Sequence, residues 1–121
     1  MADTPQFILF GNPEVAPVDK VQDPTTVLSG NPAQKSWLYV DEQKARARYG
    51  IWDSQAGHFQ ATMSGIVEFC TIIEGSAEIT NLDDGTTQTV KSGDAFVMQE
   101  GLRTEWHVPK YVKKYFVISD A

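Results

Sequence analysis

Glu68 is the residue around which chemistry in this chain would be organised. It is a lone carboxylate inside the otherwise strand-forming run Ile66-Val67-Glu68-Phe69-Cys70-Thr71-Ile72-Ile73. In a strand, residues two apart share a face. By that alternation Thr62 and Ser64 have the parity of Glu68, and so does His58 if its strand is unbroken. Thr104 and Trp106 share a face in the same way, with Val108 beyond them. An ionised carboxylate in an apolar interior is costly unless it is hydrogen-bonded, and the hydroxyls of Thr62, Ser64 and Thr104 could donate to it. One reading makes Glu68 a general base or the anchor for a polar ligand group. The other makes it part of a buried polar knot that fixes strand register. His58 would be the second acid–base group, because an imidazole titrates near neutrality. It reads equally as an exposed histidine after Gly57. Cys70 has the parity of Glu68 and joins the ligand-lining set, or serves only as a small buried hydrophobe. Trp106 would bring an indole N–H that wants a partner when buried.

The elements that must position these side chains are almost wholly β. From Ser36 onward, segments rich in β-branched and aromatic residues recur at short spacing, divided by Gly, Asp and Asn. The pattern predicts strands near 36–40, 46–53, 58–63, 67–73, 76–82, 86–91, 95–98, 103–108 and 112–118. Asp83-Asp84-Gly85 predicts a hairpin turn, since Gly supplies the positive φ a tight connection requires. The helix formers of Asp41–Ala47 sustain no amphipathic period. So many short strands indicate a sandwich or small barrel.

Five of the six prolines lie before residue 33. Proline cannot donate to a ladder, so residues 1–45 are expected to form an extended, irregular arm, and residues 46–121 the folded domain. Apolar anchors in the arm, Phe7-Ile8-Leu9-Phe10 and Val27-Leu28, suggest that it packs on the domain or on a partner subunit. Lys113 to Ile118 carries an apolar alternation suited to an outer strand that pairs two copies. A homodimer is therefore expected.

At 121 residues the chain suits one domain with a core of its own. Cys70 is the only cysteine, which rules out an intrachain disulfide and fits a reducing compartment. No apolar stretch reaches the ~20 residues of a membrane-spanning helix. Met1-Ala2-Asp3-Thr4-Pro5 lacks the basic and apolar regions of a secretory signal, so a cytoplasmic location is expected. A net charge of −6, with only the short basic clusters Lys44/Arg46/Arg48 and Lys110/Lys113/Lys114, argues against nucleic acid as a partner. Arg46 and Arg48 read as a solvated face or as a clamp for a carboxylate at the domain rim. A small molecule is the expected ligand.

One arrangement of residues narrows the fold. Trp52-x4-Gly57, Glu68 to Gly75, Gly93-Asp94-Ala95-Phe96, Glu100-Gly101, Thr104-x-Trp106-x-Val108 and Lys114-x-Tyr/Phe occur in this order. Together they resemble the cupins, and in particular the branch of the ureidoglycine aminohydrolase cupin domain and the ethanolamine-utilisation cupin. The resemblance spans roughly residues 46–118. It implies a single all-β, jelly-roll-like barrel and a small polar metabolite as ligand, with hydrolase or isomerase chemistry or a non-catalytic binding role.

In metal-binding cupins the corresponding inward slots converge on one ion. Here those slots would be Thr62, Ser64, Glu68 and Thr104, three neutral hydroxyls and one carboxylate. Hydroxyls are poor ligands for iron, manganese, zinc or nickel, so no metal cofactor is expected. A displaced site built on His58 and Glu68 would still lack donors, and alternation turns His107 away from the interior.

Overall fold

The computed structural model describes residues 5–11, 13–20, 22–40 and 45–121. Met1–Thr4, Asp41–Glu42 and Gln43–Lys44 lie outside the described residues, and with them most of the Asp41–Ala47 stretch. Among the described residues eight strands form one antiparallel sheet: β1 (Val18–Lys20), β2 (Val27–Gly30), β3 (Gln34–Leu38), β4 (Ala47–Thr62), β5 (Ile66–Asn81), β6 (Thr87–Lys91), β7 (Ala95–Met98) and β8 (Arg103–Asp120). The all-β barrel expected from the sequence is the observed fold.

Three strands are longer than the sequence pattern predicts. β4, β5 and β8 each run through a pair of predicted strands, and the interruptions survive as register shifts. One falls between Gln55 and Gly57, and two more between Ile72 and Glu74 and between Gly75 and Glu78. A bulge adds a residue to one strand, bends it and raises its twist. Each long strand therefore folds over on itself and serves two half-sheets. β3 and β7 pair with the halves of β4 and β5 that flank the Ala47 and Ile66 ends of those strands, and β1 extends the sheet by pairing with β3. β2 and β6 pair with the opposite halves. The sheet closes on a core of Phe59, Met63, Cys70, Ile72, Ala77, Val90, Met98, Trp106, Val108 and Val112.

Gly75 makes the bend in β5 possible. Its φ is 75°, and a Cβ there would lie 1.9 Å from the Tyr111 carbonyl oxygen on β8. Only glycine lets the two backbones approach so closely. The predicted turn at Asp83-Asp84-Gly85 joins β5 to β6, with Gly85 at φ 76°.

The proline-rich segment is more ordered than expected. Pro17 immediately precedes β1, Pro24 opens a single 3-10 turn capped by the Asp23 carboxylate, and Pro32 separates β2 from β3. The prolines thus punctuate strands instead of preventing them, because each falls where no ladder N–H is needed. At the arm's start Phe10 packs on Tyr39 and Tyr115, with ring centroids 4.9 and 5.1 Å away, while Phe7 and Leu9 are exposed.

β8 is not an outer strand. It lies between β4 and β5, hydrogen-bonded on both sides, so the expected edge pairing through Lys113–Ile118 has no free edge to use. The apolar residues of that region instead continue a row across the outer sheet face. Val117 lies beside Phe69, which lies beside Val97, and all three are exposed.

Candidate functional site

Even-numbered residues of β8 face inward from Thr104 through Phe116, interrupted only around Pro109 and Lys110. That parity puts Trp106, Val112 and Phe116 in the interior, and Lys114 with them. On β5 the same face carries Glu68, Cys70 and Ile72. The lysine and the glutamate meet. Lys114 Nζ is 2.6 Å from Glu68 Oε2, and the two side chains are only 8% and 7% exposed. Cys70 Sγ donates to the same carboxylate oxygen at 3.2 Å. The ammonium also sits 4.7 Å from the ring centroid of Trp52 and 4.9 Å from that of Trp106. The two indoles stand edge to face at 5.8 Å, and Phe59 stacks on Trp106 at 6.1 Å. Cation–π contacts of this kind contribute about 0.5–2 kcal/mol each, more when the cation is desolvated.

The protonation states follow from these neighbours. Burial pulls the Lys114 pKa down, but the facing Glu68 carboxylate and the Cys70 thiol more than offset it, and the net shift is upward. Burial pushes the Cys70 thiol up to about 12, against the lowering effect of Lys114. Lys114 is therefore cationic and Cys70 protonated near neutrality. Neither is a ready nucleophile, which requires the free amine or the thiolate.

The pair lines a cavity of about 280 Å³. Trp52, Phe59, Met63, Met98, Trp106 and Phe116 supply its apolar walls, and Lys20, Gln22, Asp23, Gln34 and Ser36 come from the arm. Gln22 is held in place by a hydrogen bond from its Nε2 to Thr26 Oγ1 at 2.5 Å. Two buried donors in the lining, Trp106 Nε1 and Gln34 Nε2, have no partner among the described residues. Trp106 is 1% exposed and Gln34 5%. A buried unsatisfied donor costs about 1–3 kcal/mol.

The residues singled out in the sequence divide. Glu68, Cys70 and Trp106 come together in the interior, as alternation predicts. Thr104 is buried, but its hydroxyl donates to the Ala61 carbonyl at 2.8 Å and not to Glu68. Thr62 and Ser64 are exposed, which corrects their expected placement beside Glu68. Cross-strand partners share a face, and Ala61 and Phe59 are the partners of inward-facing Thr104 and Trp106. Thr62 must then point outward. Parity cannot be carried from Ser64 to Glu68, because the turn at Gly65 (φ 71°) separates β4 from β5. His58 is likewise on the outer face, opposite His107, with the imidazole centroids 5.6 Å apart. Its nearest carboxylate is Glu105 at 3.9 Å, and it does not line the cavity with Glu68. Arg48 pairs with Asp120 at 3.3 Å.

Sequence reading missed Lys114 as a site residue. The available signal was a single lysine at an inward position of the alternation Val112, Lys114, Phe116, Ile118. Gln34 had no such signal, because only the pairing of β3 with β4 brings it to the cavity.

The residues present do not fit the metal centre found in many cupins. Among the described residues no group of three His, Cys, Asp or Glu side chains could hold a metal ion. The one carboxylate at the cavity centre already faces an ammonium, whose charge would repel a divalent cation.

A family model described as the EutQ-like cupin domain matches residues 41–116, more than half of the chain. Among solved structures, a Pseudomonas syringae protein of unknown function superposes with a TM-score of 0.75 at 23% identity, covering 88% of this chain and 45% of that one. The chain thus spans less than half the length of that protein. The EutQ protein of Clostridium difficile gives a TM-score of 0.65 at 21% identity, with 84% of this chain and 81% of that one covered. A Thermotoga maritima DUF861 protein is 31% identical over 56% of this chain and 75% of its own, with a TM-score of 0.52. No curated protein matches the sequence.

Proposed function

Because the chain belongs to the EutQ-like cupin family, we propose that its barrel interior is a metal-independent binding site for a small polar metabolite. The observation that carries this reading is the Glu68–Lys114 pair, buried at 2.6 Å in a cavity walled by two indoles. Removing two charges from water costs several kcal/mol per ion, so a fold gains little stability from such a pair. Its use is to present opposite charges at fixed positions inside an apolar enclosure, where polar groups orient a ligand strongly. The size agrees, since about 280 Å³ lies at the lower end of small-molecule pockets, roughly 300–1,000 Å³.

Binding is favoured over covalent catalysis because Lys114 stays protonated and the Cys70 thiol is pushed up to about 12. Glu68 then acts as an anchor, with one oxygen held by both donors. Carriage or sensing of a metabolite fits this arrangement without any further catalytic group.

The test is retention of metabolites from a cell extract, read by mass spectrometry after gel filtration. Chelator-treated wild-type protein should retain one or more small polar species. Ala61→Phe, which fills the cavity without touching the ion pair, should retain none of them. An identical retained set in both proteins would place the binding site outside the barrel.

A further inference from the structure

Among the described residues Trp106 Nε1 and Gln34 Nε2 are buried in the cavity lining without partners, and the Lys114 ammonium adds a cation with several N–H groups. Against these stands one carboxylate, Glu68, whose Oε2 already accepts from both Lys114 and Cys70. At the cavity's arm side, Asp23 Oδ1 is likewise taken by the backbone N–H and the hydroxyl of Thr25. A cationic ligand would be repelled by Lys114 and would leave the Trp106 and Gln34 donors without partners, with Glu68 Oε1 as the acceptor left to it. A group rich in acceptor oxygens with a single negative charge would satisfy the idle donors and complement the ammonium. The remaining lining sets apolar Phe59, Met63, Met98, Phe116 and Ile118 beside the polar arm residues Lys20, Gln22 and Ser36.

From this we propose that the ligand is a small carboxylic acid with an apolar body, bound as its carboxylate, and that Gln34 takes part in recognising it. The proposal rests on the barrel cavity being the binding site. It adds a role for the arm, because Gln34 lies outside the family-matched segment 41–116, as do Lys20, Gln22, Asp23 and Ser36. The matched segment supplies the ion pair and the indoles. The arm supplies a further donor, fixed at the start of β3 by pairing with Ser54 on β4. Two chains sharing the matched segment but differing in the arm would then select different ligands.

Isothermal titration with benzoate, benzamide and benzylammonium tests the charge preference on one skeleton, and 3-methylbutanoate with its amide and amine tests it on a second. The carboxylate of at least one set should bind tenfold or more tighter than its amide and its ammonium counterpart. Gln34→Met and Trp106→Phe should each weaken that carboxylate severalfold and leave the amide's affinity nearly unchanged. Gln34→Met keeps the side chain's length, and its fold can be checked by circular dichroism, so the test does not depend on Trp106→Phe remaining folded. An amide or amine binding as tightly as the carboxylate overturns the carboxylate assignment while leaving the cavity reading intact. Failure of both carboxylates to bind also overturns it. The cavity reading is then judged separately, by whether Ala61→Phe abolishes retention of extract metabolites. Unchanged carboxylate affinity in Gln34→Met removes the role given to the arm.

Discussion

Lys114→Met removes one partner of the buried pair and strands Glu68 in the interior. The contact is 2.6 Å and both side chains are more than nine-tenths buried. Breaking such a pair costs about 3–5 kcal/mol, most of it from the uncompensated charge that remains. A domain of 121 residues has roughly 6–18 kcal/mol of stability in total, so the loss is a large fraction of it. With an unfolding entropy of about 2.1 cal/mol/K per residue, each kcal/mol lowers Tm by about 4 °C, and the single variant should melt some 12–20 °C lower. Adding Glu68→Gln to Lys114→Met neutralises the stranded charge. The double variant should therefore recover most of the loss and lie within about 2 kcal/mol of wild type. Urea denaturation of wild type, both single variants and the double variant closes the cycle, provided the slope with denaturant stays constant. A double variant that loses the full sum of the single losses would show that the two side chains are not coupled. The reasoning about the barrel's polar centre would then fail.

Stability should also fall at alkaline pH. The Cys70 thiol is raised from 9.0 to about 12 in the folded protein, so the native state keeps a proton that the unfolded chain releases. Its contribution is full below pH 9 and is lost as pH climbs toward 12, up to about 4 kcal/mol at 1.36 kcal/mol per pH unit. The raised Lys114 pKa acts with the same sign above 10.5. Cys70→Ala should flatten the decline between pH 9 and 10.5 in urea midpoints, and an unchanged slope would contradict the burial argument. Gly75→Ala should lower Tm sharply, because its Cβ would strike the Tyr111 carbonyl. Gly85→Ala, where a Cβ meets nothing within 4 Å, should cost only about the 1–2 kcal/mol of a left-handed non-glycine residue. If the chain forms the expected homodimer, the contiguous sheet face at Val97, Phe69 and Val117 is one exposed apolar surface for it, the three being 55%, 46% and 40% exposed. Sedimentation velocity should then show Phe69→Lys as a monomer, and a wild type that sediments as a monomer would refute self-association.

Much of the fold was legible along the chain. Alternation and turn glycines indicated an all-β sandwich or small barrel, since a strand's periodicity and a turn's φ requirement are local properties, and the resemblance to the cupins carried by the spacing of Glu68, Gly75, Gly93 and Thr104 chose the barrel. The interior placement of Glu68, Cys70 and Trp106 was legible for the same reason, and so was the outward turn of His107. Thr62, Ser64 and His58 were misplaced because alternation holds only within one unbroken, unbulged strand. The turn at Gly65 resets it between the strand that carries His58 and Thr62 and the strand that carries Glu68, and that offset is not encoded in residue type. Parity assigned a face to Glu68 and to Lys114 separately, but a face on one strand does not name its partner on another. Their meeting at 2.6 Å across 46 residues, between indoles from β4 and β8 and beside an arm glutamine, follows from how β4, β5 and β8 bend and pair. The sequence, with its resemblance to the cupins, therefore determined the barrel and the burial of Glu68. Only the tertiary structure decided that the carboxylate's companion is an ammonium and not a ring of hydroxyls, because that depends on register between strands distant along the chain.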